Sequence, residues 1–157
     1  MDGKKEMLRH AVATIAYRGG KTLRGAPAAF ATYKASPTTK TPVELLAHIG
    51  DLFDWALSIA RGAQQWGDAT PLPWDQEAAR FFATLEAFDA QLASDRALPC
   101  AAEQLLQGPI ADALTHIGQL AMLRRLADAP MRSENYFKAD VVIGRVGSAQ
   151  TPASREF

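Results

Sequence analysis

Apolar residues return every three or four positions along most of this chain, while runs of β-branched residues are scarce. That pairing restricts the fold to packed helices. The one strand candidate, Val141-Val142-Ile143, is too short to found a sheet. A first helix is predicted after Asp2, with Leu8, Val12, Ile15 and Ala16 on one face. It runs to about Arg24, Gly25 and Pro27 close it, and Gly19-Gly20 allows close packing. A long connection over 26–40 follows, carrying Phe30 and Tyr33; connections of this length are often functional.

The second helix has the clearest start. Thr41-Pro42-Val43-Glu44 combines a Thr cap, Pro at the first helical position and Glu at the third, the pattern of a capping box. Leu45, Leu46, Ile49, Leu52, Phe53, Ala56 and Ile59 give it a wide apolar face, and Gly62 or Gly67 ends it. A third helix spans about Trp74 to Ser94, with Phe81, Phe82, Leu85, Phe88 and Leu92 inward. A short turn near 101–107 leads to a break or kink at Gly108-Pro109, since proline disfavours helical geometry in the residue before it. The fourth helix runs from Pro109 to about Ala127; its middle, Ile110 to Leu123, reads as apolar on nearly every side, and so as the most buried helix. Ser133-Glu134-Asn135 starts a short helix or strap to about Gly147, and residues 148–157 are expected to fray. The expected fold class is all-α: one domain over 1–157, a four-helix bundle with a short C-terminal helix or strap.

Composition narrows the function. Seventeen Lys+Arg balance seventeen Asp+Glu, well mixed along the chain, which argues against a nucleic-acid partner. The single Cys100 excludes an internal disulfide framework and a Cys-rich zinc site. It has no base at a recognisable spacing, and neither a phosphate-binding glycine loop nor a Ser-centred hydrolase motif is present. The charged start Met1-Asp2-Gly3-Lys4-Lys5-Glu6 predicts no signal peptide. No run approaches the roughly 18 apolar residues a membrane helix needs, so the expected location is the cytoplasm.

Two of the three histidines fall where a packed helix should be apolar. His48 shares a face with Leu45, Leu52, Trp55 and Ile59, and His116 shares one with Asp112, Gln119, Leu120 and Leu123. Positions 112 and 116 lie one turn apart, about 6 Å of rise, on one face. With His48 on a facing helix they form a three-ligand set for a metal, two imidazoles and a carboxylate. Burying an unpaired carboxylate costs several kcal/mol, so Asp112 needs a cation, hydrogen bonds or solvent. The residues alone leave two readings open: a metal site, or a hydrogen-bonded polar cluster in a non-catalytic bundle that binds a small molecule or partner.

The segment Asp112-Ala113-Leu114-Thr115-His116-Ile117-Gly118-Gln119 resembles the final-helix signature of the DinB/YfiT-like superfamily, a histidine pair four residues apart followed by Gly-Gln. The stretch Leu46-Ala47-His48-Ile49-Gly50-Asp51-Leu52-Phe53-Asp54-Trp55 resembles its second-helix motif, and the likeness spans nearly the whole chain. The resemblance implies a four-helix bundle binding a divalent metal through three histidines, with thiol-dependent transferases and isomerases among its relatives. Carried over, His48 and His116 match two ligands, and Asp112 stands where the family has the third histidine. Three imidazoles suit Zn or Ni; two with a carboxylate also suit Fe(II) or Mn. The expected activity is metal-dependent transfer, isomerisation or hydrolysis of a small-molecule substrate, with a low-molecular-weight thiol as partner, and a homodimer would be unsurprising.

Around that set, Asp51 is expected to hold the second ring nitrogen of His48, with a surface acid as the alternative, and Gln119 to hydrogen-bond near the site or to serve as a packing contact. His10 reads as a surface or rim residue. Arg124 and Arg125 read as a solvated basic helix end complementing the dipole, with contact to an anionic substrate as the alternative. Glu134-Asn135-Tyr136 is placed as a strap over the pocket mouth.

Overall fold

A computed structural model describes residues 2–157. The chain is all-helical: among the described residues, β pairing is confined to one isolated antiparallel bridge, Glu134 with Glu156. The long helices are α1 (Gly3–Leu23), α2 (Pro42–Ala60), α3 (Trp74–Ala93) and α5 (Ala111–Leu126), with a short α4 (Ala102–Leu105) before the last. α1 packs on α3 and α5, and α2 packs on the same two. Each long helix therefore has two neighbours, and their inward faces share one core of Val12, Ile15, Ile49, Phe53, Phe81, Phe88, Ile110 and Leu120.

Local chemistry explains the boundaries. Asp2 caps α1 by accepting the Lys4 amide at 3.1 Å. Thr41 and Glu44 form both halves of the capping box on α2, with Pro42 at its first position. Gly19 lets α1 approach α3, because a Cβ there would lie 2.5 Å from the Phe81 ring.

Three expectations about α5 and its approach are corrected. Gly108-Pro109 does not break the helix. Residues Leu106–Ile110 form a π turn that joins α4 to α5; its wider hydrogen bonding accommodates a proline that lacks an N–H. Nor is α5 buried all round, since Gly118, Gln119, Met122 and Leu126 face outward. Finally, Arg124 is not solvated. It is buried, and its guanidinium donates to the carbonyls of Thr22 at 2.8 Å, Arg24 at 3.1 Å and Ala129, tying the ends of α1 and α5 together.

The tail also differs from expectation. Its regular structure is one 3-10 turn, Tyr136–Lys138. Residues 148–157 do not fray: Asn135 donates to the Arg155 carbonyl and Phe157 to that of Ser133, both at 3.0 Å. Beneath this pairing, the Tyr17 hydroxyl donates to Glu134 at 2.5 Å, and the Lys21 ammonium to Glu134 at 2.9 Å and Glu156 at 2.8 Å. Val146 enters the core, and Gly144 and Gly147 approach Arg9 of α1 and Glu86 of α3. The strap thus lies over α1 and α3 and leaves the face of His48 and His116 uncovered.

Candidate metal centre

α2 contributes His48 and α5 contributes Asp112 and His116 to one spot where the two helices pack. Asp112 sits between the rings, with His116 Nε2 3.3 Å from Oδ1 and His48 Nε2 3.6 Å from Oδ2. The imidazoles meet edge-to-face with centroids 4.8 Å apart. One donor atom from each residue lies within 4.8 Å of the others. Ligands about 2.1 Å from a tetrahedral ion are separated by about 3.4 Å, close to the two histidine–carboxylate distances. The i, i+4 spacing expected of Asp112 and His116 holds because both sit in α5 just past the π turn. That turn sets their register, in the position where such wide turns recur at functional sites.

The tautomer sharpens the fit. His116 Nδ1 is 2.8 Å from Gln119 Oε1, and the amide oxygen as placed can only accept, so the ring proton sits on Nδ1. With Nδ1 bonded to Gln119, Nε2 is the nitrogen that faces the Asp112 carboxylate. Its 3.3 Å separation from Oδ1 is one that a metal ion or a proton between them fits. Gln119 thus takes the expected outer role, fixing ring orientation and donor nitrogen together.

Asp51 does not. Its carboxylate is buried, accepting the Arg80 guanidinium at 2.6 Å and the Ala69 amide at 3.2 Å. Arg80 also binds Asp54 at 2.7 Å and the Ala47 carbonyl at 3.2 Å. Burial opposes its charge, but the bonds to Asp51 and Asp54 outweigh that and hold its pKa above the ordinary value. A Cβ on Gly50 would meet the guanidinium at 2.8 Å, so that glycine makes room for it.

The consequence for the site is indirect. Asp51 holds Ala69, Ser58 holds the Gln65 amide at 2.9 Å, and Glu77 holds that of Leu72 at 2.9 Å. Together they pin the segment between α2 and α3 that carries Trp66. The Trp66 indole packs edge-on against His48, centroids 5.8 Å apart, and against Trp55 at 5.7 Å. Sequence reasoning missed Trp66; it stands in a stretch without periodicity, where no spacing signals a partner.

The site is open. The Asp112 side chain is 46% exposed, and on its side a cavity of about 410 Å³ is walled by Leu52, Trp55, Gln107 and Gly108. His10 lies on exposed α1 surface outside the cluster, its backbone carbonyl accepting from the Thr14 hydroxyl at 2.9 Å. Burial raises the Cys100 thiol above its ordinary pKa, which suits an inert side chain. No helix is long and apolar enough to cross a membrane among the described residues. Comparison with family models, curated proteins and solved structures returns no match.

Proposed function

We propose that this chain is a DinB/YfiT-like four-helix bundle whose His48, Asp112 and His116 hold a divalent cation for work on a small-molecule substrate. The reactions in view are thiol-dependent transfer or isomerisation with a low-molecular-weight thiol, or metal-assisted hydrolysis. One observation carries the reading: a carboxylate and two imidazoles converge, and Gln119 at Nδ1 leaves His116 Nε2 facing the Asp112 carboxylate.

The donor set fits the ion. Two neutral nitrogens and one carboxylate suit Zn or Ni, and also Fe or Mn. Three protein ligands leave a position free, and the exposed Asp112 side lets solvent and substrate reach it. A divalent ion there would act as a Lewis acid and lower the pKa of a nucleophile toward neutrality. The chain's own part is to hold the geometry. Gln119 keeps the His116 proton on Nδ1, and Trp66 with Trp55 walls the His48 side against water.

Thermal unfolding with and without chelator tests this. Metal at a hundredfold its dissociation constant adds about 2.7 kcal/mol, about 5–10 °C for a chain of this size. Chelation should remove that increment, and zinc should restore it. A midpoint unmoved by either would contradict the reading.

A further inference from the structure

Beside the centre, on the side away from the 410 Å³ cavity, lies a second cleft of about 420 Å³ between α5 and the connection before α2. Its walls are apolar: Leu45 from α2 and Leu123, Met122 and Leu126 from α5. His116 and Gln119, the proposed ligand and the residue bonded to its Nδ1, form a polar part of its lining. Met122 and Leu126 are 61% and 50% exposed. A helix in contact with water normally puts polar residues at such positions. Here the outward turn of α5 keeps them apolar where they line a route to the metal centre.

We propose that this cleft receives the apolar body of the substrate, a small amphiphile with an alkyl or aryl portion and a polar reacting group turned toward His116. The inference rests on the metal reading for the role of His116, but not for the binding of the apolar portion. The volume lies in the range of small-molecule sites, and two polar side chains grouped on a largely apolar lining suit a molecule with one polar terminus. Lys40 is the charged residue of the lining, so the polar group is neutral or anionic and a cationic head is disfavoured. A second copy of the chain is the competing occupant, and the test separates the two.

Calorimetric titration of the purified protein with n-alkanoates from butanoate to decanoate tests the proposal, in zinc-loaded and in chelator-treated samples of measured metal content. Affinity should rise about three- to fourfold per added methylene until the cleft is full. Met122→Glu and Leu126→Glu, at exposed positions that leave the core untouched, should each abolish that dependence. Lys40→Glu should weaken alkanoates more than alkanols of equal length. Zinc bound without chain-length dependence overturns the cleft and leaves the metal reading standing. Chain-length dependence in a protein that binds no zinc when equilibrated with it does the reverse. A Met122→Glu variant that splits a dimer in sedimentation analysis assigns the stripe to a second copy and overturns the proposal.

Discussion

Gln119 decides which nitrogen of His116 faces Asp112, through a 2.8 Å contact at Nδ1 on the exposed side of α5. Removing that acceptor frees the ring to rotate and to move its proton to Nε2, where it blocks coordination. Gln119→Leu should therefore weaken zinc binding by about 10- to 100-fold while the unfolding midpoint of the metal-free protein stays put. Gln119→Glu, which keeps an acceptor, should retain binding. Competition titration with a chromophoric chelator checks both, and equal affinity in Gln119→Leu would remove the residue from the site. Arg124 poses the opposite case, a buried cation far from any chemistry. Arg124→Met leaves the carbonyls of Thr22, Arg24 and Ala129 without their donor. The expected cost is about 3 kcal/mol, a midpoint drop of roughly 6–12 °C, with metal content unchanged. A drop under 2 °C would mean the three carbonyls find other donors (about 1 kcal/mol or less).

The C-terminal strap is tied to α1 by the Lys21–Glu134–Glu156 cluster as well as by Val146 in the core and Tyr136 on Tyr17. The Lys21 ammonium beside Glu156 holds that carboxyl below its ordinary 4.5. A depressed folded pKa gives stability that is present above the unfolded value and is lost as pH falls through the folded one. The terminal pairing should therefore persist at pH 7 and weaken only as pH falls below the ordinary carboxyl value of 4.5, ahead of the core. The amide resonances of Asn135 and Phe157 report it; their constancy from pH 7 to pH 3 would contradict the assignment. Little in the sequence signals this docking, because a strap held by backbone pairing, one ion cluster and Val146 has no apolar period. The same reason hides the role of Asp51, whose partners Arg80 and Ala69 lie on another helix and in a loop. The capping box at Thr41 was legible because cap and helix are neighbours in the chain.

At the scale of the molecule, periodicity predicts four long helices and locates each within a few residues, since apolar spacing is a local property that tertiary packing here obeys. It misjudges α5, where Gly118, Met122 and Leu126 are apolar yet outward; apolar character alone does not distinguish a core face from a cleft wall. His48, Asp112 and His116 were legible as a set because helix geometry fixes the last two on one face; the cost of a buried carboxylate does not apply, since the Asp112 side chain is 46% exposed and reaches solvent. Their convergence also sets the account's most direct test. Elemental analysis of untagged protein, equilibrated with zinc and then desalted, should find about one equivalent per chain, set by the single three-ligand site. His48→Ala, Asp112→Ala and His116→Ala should each fall to background. Sub-stoichiometric metal in the parent protein, unaffected by His48→Ala, would contradict the central claim.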